Sequence, residues 1–161
     1  MKNGIDIEVV VKCGNWVDIL PEAEDLCQRA AQSAFDGHDD NLEMGIVLAD
    51  DDFLQTLNLA FRNQNKPTNV LSFPAAEEDY PESECRPLGD IVIAYETTAG
   101  EAESDGKSLA DHLSHLVVHG VLHLLGDDHE NDAEAKEMEA RETEILASLG
   151  VANPYAHEIK E

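Results

Sequence analysis

The chain has 161 residues, which fits one domain (residues 1–161) and is long enough to bury a hydrophobic core. An apolar fraction of 42% argues against disorder, and no apolar run approaches the ~18 residues of a membrane span. A formal net charge of −25 implies high solubility and general repulsion from nucleic acid and anionic membranes. Adaptation to high salt is one bland explanation, in keeping with only six lysines. Any contact with RNA needs a local basic patch or a metal ion working against this global field.

The N-terminal MKNGIDIEVVVKCGNW has no apolar core followed by a small-residue cleavage site, so it does not read as a secretory signal. Residues 5–12, IDIEVVVK, are β-branched and roughly alternating, a strand. Pro21 is placed to open a helix of about 15 residues. Glu22, Glu24 and Asp25 suit the positive end of its dipole, and Ala23, Leu26, Cys27, Ala30 and Ala34 form its apolar face. Residues 43–49 are a second strand. Asp50, Asp51 and Asp52 supply caps for a helix to about Asn63, with Phe53, Leu54, Leu57 and Phe61 at helical spacing, and Pro67 bars its continuation.

Residues 69–73, NVLSF, make a third strand, and 74–88, rich in proline and acid, an exposed loop. Residues 89–95 make a fourth strand. A helix from about Ser108 to Leu125 is apolar almost all round, which implies burial, and Gly126 is expected to end it. Asn131 with Glu134 resembles a capping box for a last helix ending at Gly150. The order β, α, β, α, β, β, α, α predicts an α+β fold: one small mixed four-stranded sheet covered by helices. Cys13, Cys27 and Cys85 are odd in number and widely spaced. They read as reduced thiols of a cytoplasmic protein.

The apolar helix carries the chemistry. In HLVVHGVLHLLGDDH, residues 115–129, His119 and His123 are four apart and share a helical face, the spacing by which two imidazoles bind one metal. A left-handed turn at Gly126 would bring His129 back as a third ligand. The order reproduces the H-x3-H-x2-G-x2-H spacing of a zinc metalloprotease motif, a zincin-like metal helix. Three neutral imidazoles favour one Zn²⁺ with an open position, able to polarise a carbonyl or phosphoryl oxygen. A structural ion closed by Asp127 or Asp128 is the competing reading. His112 and His115 lie one or two turns earlier, too far along the axis to join the same ion, and read as hydrogen-bonding histidines. A protease places its general base, a glutamate, directly after the first histidine. Here that position is Gly120, which argues against peptide hydrolysis.

The stretch HGVLHLLGDDH closely resembles the signature of the YbeY family of bacterial endoribonucleases involved in ribosomal RNA maturation. LNLAFRNQNKPTNVLSFP (57–74) and LGDIVIAYE (88–96) resemble two further segments of that family, in the same order, so the likeness spans nearly the whole chain. The resemblance implies zinc ligands at His119, His123 and His129 and a functionally important arginine at Arg62. It departs at Asn69, where the family commonly has Asp, and at Asp127, where an aromatic is frequent.

On its residues alone, Arg62 is as well read as a surface ion pair as a phosphate fork. Lys66 and Arg86 would add local positive charge. The expectation is therefore a zinc-dependent endoribonuclease that prefers single-stranded RNA and acts in ribosomal RNA maturation and ribosome quality control. Arg62 would sit on the scissile phosphate, and His115 and Asp128 are candidates for proton transfer. Water and the RNA's own 2′-hydroxyl both stay open as nucleophile. The alternatives are a metallopeptidase with an unusual base, or a zinc-stabilised, non-catalytic module whose acidic surface docks on basic ribosomal proteins.

Overall fold

A computed structural model describes residues 4–35, 41–75, 86–125 and 132–151. In chain order the elements are β1 (Gly4–Val11), α1 (Asn15–Ile19), α2 (Ala23–Phe35), β2 (Asn41–Ala49), α3 (Asp51–Arg62), β3 (Val70–Pro74), β4 (Arg86–Ala94), α4 (Tyr95–Asp105), α5 (Leu109–Leu124) and α6 (Asp132–Ser148). The strands form one mixed sheet in the order β1-β2-β4-β3. β1, β2 and β4 run parallel, and β3 runs antiparallel to β4. The α+β class and the mixed four-stranded sheet are as the sequence predicts.

Strand alternation divides the core in two. Ile7 of β1, Met44, Ile46 and Leu48 of β2, and Ile91 and Ile93 of β4 face the larger core, closed by α2, α5 and α6. The intervening residues Ala49, Val92 and Ala94 face a smaller core beneath Leu54 of α3. Toward their C-terminal ends both faces of β2 and β4 are therefore covered, which explains why these strands finish as continuous apolar runs.

Short capping contacts set the helix ends. The Asp50 carboxylate accepts from Phe53 N–H at 2.9 Å and starts α3. Asn63 ends it in the left-handed region, φ 59°, four residues before Pro67. Ser108 Oγ accepts from Asp111 N–H at 3.0 Å and starts α5. Gly150, φ 82°, follows the end of α6, as expected.

Two helices escape the sequence reading. α1 has only five residues, too few to show a period, and is held by buried Trp16, whose Nε1 donates to Ala49 O at 2.9 Å. α4, YETTAGEAESD, carries Thr-Thr, a glycine and no apolar stripe. The reciprocal contacts at its start compensate. Thr97 N–H donates to Asp51 Oδ1 at 3.0 Å, and Asp51 N–H donates to Glu96 Oε1 at 2.8 Å.

Two boundaries also move. Pro21 and Glu22 form a turn, and α2 begins at Ala23. β4 starts at Arg86 rather than at 89, because Arg86 and Pro87 still pair with Leu42 and Glu43 before the register shifts. Past the shift stands Gly89, φ 144°, where any Cβ would strike Phe73 O. The expected bend at Gly126 and the cap at Asn131 lie outside the described residues.

Candidate active site

Helix α5 presents four histidines with a gradient of exposure. The His112 side chain is 7% exposed, His115 14% and His119 32%, and His123 is exposed. The ring centroids of His112 and His115 are 6.1 Å apart, and those of His115 and His119 6.3 Å. The inner pair therefore belongs to the core, while the outer pair, one turn apart, opens on the surface at the end of the helix.

Carboxylates from the flanking helices meet this row. Glu101 of α4 lies 2.8 Å from His112 Nε2. Glu142 of α6 is completely buried and lies between two rings, with Oε1 3.1 Å from His115 Nε2 and Oε2 2.5 Å from His119 Nδ1. A buried carboxylate is costly unless it is hydrogen-bonded, and these rings meet that demand. Burial is the chief cause that holds the His112 pKa below the ordinary histidine value. The Glu101 hydrogen bond opposes it, Lys107 adds to it, Glu101's charge opposes it and the neighbouring His115 adds to it. His112 Nδ1 is buried and has no partner among the described residues.

Glu101 also belongs to a second feature. It lines a cleft of about 490 Å³ with Asn58, Arg62, Lys66, Asn69 and Thr97. Asn58 Nδ2 donates to Lys66 O at 2.9 Å and pins the turn after α3, which carries Lys66. Asn69 Nδ2 donates to Glu101 Oε1 at 3.0 Å, the same oxygen that meets His112. An aspartate at position 69 would face that oxygen with like charge, so Asn69 suits this chain. Among the described residues Arg62 makes no ion pair, and it is exposed at the last turn of α3. A second cleft, of about 450 Å³, lies on the sheet face away from α5. Its charged lining, Asp6, Glu8, Glu43 and Asp90, is entirely acidic and suits no phosphate.

Gly120 has a definite packing reason. A Cβ at that position would lie 2.7 Å from Ile91 Cδ1 and 3.1 Å from Ile91 Cγ1, so the residue after His119 faces strand β4 at close approach. A glutamate there would be driven into the core.

The site residues expected from sequence are thus placed unequally. His115, His119 and His123 share α5, and Arg62 lies in the cleft whose wall reaches the row through Glu101 and His112. Asp128 and His129 lie outside the described residues, as does the side chain of Arg86. Among the described residues no three His, Cys, Asp or Glu side chains come together as a metal group. The donors present still suit a divalent cation that prefers nitrogen, since imidazoles on successive turns gain exposure toward the surface. Glu142 was missed by sequence reasoning. Its signal is the buried stripe Met138, Glu142, Leu146 of α6, where an acid replaces the apolar residue at the middle of an i, i+4, i+8 series.

Comparison with known proteins agrees with this architecture. The model of the family described as endoribonuclease YbeY matches residues 15–150. An endoribonuclease YbeY of Paramagnetospirillum magneticum is 51% identical over 160 residues, 96% of this chain and 98% of that protein. One of a Bradyrhizobium species is 51% identical over 155 residues, 92% of this chain and 91% of the other. The solution structure of a Thermotoga maritima protein superposes with a TM-score of 0.54 at 26% identity, covering 96% of this chain and 91% of that one. With the family model matched from residue 15 to residue 150 and half of all positions shared with relatives over nearly their whole length, the chain belongs to the endoribonuclease YbeY family.

Proposed function

We propose that the protein is a cytoplasmic, zinc-dependent endoribonuclease. It cuts single-stranded RNA in the course of ribosomal RNA maturation and ribosome quality control. Family membership gives the reaction class. The observation that carries the residue assignment is the position of Arg62. This guanidinium, without an ion pair among the described residues, lies in a cleft whose wall is hydrogen-bonded to the histidine helix through Glu101 and His112.

In this reading Arg62 binds the scissile phosphate through its planar fork and steadies the charge that develops there. Lys66, on the same cleft, adds a second cation and helps the site attract RNA against the −25 background. His119, His123 and His129 would hold one Zn²⁺, making α5 the zincin-like metal helix. When bound, zinc supplies a Lewis acid for a phosphoryl oxygen. His115 and Asp128 remain the candidates for moving a proton; His115 keeps its Nε2 against Glu142. Free Cys13 and Cys27, and the absence among the described residues of a helix long and apolar enough to cross a membrane, suit this setting.

The peptidase alternative finds no place for its glutamate at Gly120, and the family does not favour a non-catalytic module. The test is purified, zinc-loaded protein incubated with unstructured RNA and with casein, beside His119→Ala. The expected result is RNA cleavage by wild type only, with casein untouched. Intact RNA in a wild-type sample that holds zinc would sink the nuclease reading. Equal cleavage by both proteins would betray a contaminant.

A further inference from the structure

The exposure gradient along α5 leaves one buried group without an assigned task. Glu142 comes from a different helix, is wholly buried, and spends both carboxylate oxygens on rings of α5. Stability alone is a weak reason to bury a carboxylate, because an apolar residue of similar size would avoid the desolvation cost. Its neighbours Met138 and Leu146 on the same stripe show that this surface of α6 otherwise takes apolar side chains. What a carboxylate offers that leucine does not is a pair of acceptors in fixed directions.

A carboxylate oxygen accepts, so each ring must donate to it. At His119 the donor is Nδ1. A neutral imidazole carries one N–H, so a proton held at Nδ1 makes Nε2 the lone-pair nitrogen. At His115 the contact is reversed: Nε2 donates, and the ring is tied by its far edge. Two imidazoles one turn apart are therefore held in opposite tautomers by one carboxylate. The geometry points to Glu142 as a positioning residue. It locks His119 in the Nδ1–H tautomer and so presents Nε2 to a divalent cation, while His115 anchors the carboxylate's other oxygen. Outer carboxylates of this kind orient metal-binding imidazoles generally, and their removal costs 10- to 100-fold in metal affinity. This assignment makes His115 a brace rather than a proton carrier. It rests on the zinc reading above only for the identity of what His119 Nε2 meets.

Two measurements on the full chain test it. The first is a long-range ¹H–¹⁵N correlation of the imidazole rings in metal-free wild type, which reports the tautomer of each histidine. His119 is expected as Nδ1–H and His115 as Nε2–H; an Nε2–H signal at His119 overturns the proposal whether or not any variant folds. The second is zinc affinity, by competition with a chromogenic chelator, of wild type and Glu142→Gln. A glutamine has one acceptor and one donor in place of two acceptors, so one ring must turn or change tautomer. Affinity is expected to fall by roughly 10- to 100-fold. Affinity within twofold of wild type overturns the proposal. Failure of wild type to bind zinc, with His119 still Nδ1–H, would support the tautomer lock and defeat the zinc reading, so the two are separable.

Discussion

Gly120 lies so close over Ile91 that an added Cβ would sit 2.7 Å from the isoleucine Cδ1. This contact ties the metal-motif helix to the central strand pair, and it explains in packing terms why a glutamate cannot occupy the position. Gly120→Ala gains about 1 kcal/mol of helix propensity. It meets an overpacking cost of about 1–3 kcal/mol. The expected net effect is a loss of about 1 kcal/mol in urea unfolding. Ile91→Val removes Cδ1, so in that background the loss should shrink by at least about 0.5 kcal/mol. Strict additivity of the two substitutions would refute the contact. Gly120→Glu should cost more than about 4 kcal/mol, and it should give no casein cleavage.

Arg62 stands exposed at a helix end, so its loss should spare the fold. Arg62→Ala is expected to lower RNA cleavage by about 10²-fold or more. Its unfolding free energy should stay within about 0.5 kcal/mol of wild type. Arg62→Lys should recover part of the rate, because it restores the charge but not the fork. Unchanged cleavage in Arg62→Ala would remove the residue from the site.

His112 gives the fold a pH dependence. Its pKa is lowered, mainly by burial, and its Nδ1 has no acceptor to receive a proton among the described residues. The neutral ring therefore contributes stability that is fully present above the unfolded value of about 6.5. That contribution is lost as pH falls through the depressed folded value. Glutamine at this position can donate to Glu101 and does not titrate. Between pH of about 7.5 and 5, the urea midpoint of wild type should fall more steeply than that of His112→Gln. Parallel pH curves would show that His112 is not the group responsible.

Cys27 should be chemically silent. Burial, followed by the negative charge of Glu24, pushes its thiol up to about 12, so almost no thiolate exists at neutral pH. Iodoacetamide on native protein should alkylate half-exposed Cys13 well before Cys27, with peptide mass mapping as the readout. Denaturant should abolish the difference. Prompt labelling of Cys27 in native protein would contradict its buried position.

The parts of the fold that the sequence disclosed are those with local causes. Asp50, Ser108 and Asn63 cap helices through contacts within a few residues, and each stands within a residue or two of the helix end that the local pattern predicts. The alternate facing of β2 and β4 has no local signal at their C-terminal ends, because both faces are covered there and the apolar run has no period. Helices α1 and α4 depend on remote partners, the carbonyl of Ala49 and the carboxylate of Asp51, which no local pattern announces. The site divides in the same way. Spacing along one helix singled out His119 and His123. Glu142 was hidden among 35 acidic residues, and only its place in an apolar stripe set it apart. Its partners lie on another helix, 23 and 27 residues earlier in the chain.

That separation also fixes an order of assembly. Translation delivers the histidines of α5 first and the carboxylate that receives His119 23 residues later, on the last described helix. Between those two moments a nascent chain carries the motif but lacks the brace. If the protein cuts RNA as proposed, its histidines leave the ribosome unready, beside the very class of molecule they would act on. The brace is in place only when α6 docks on α5.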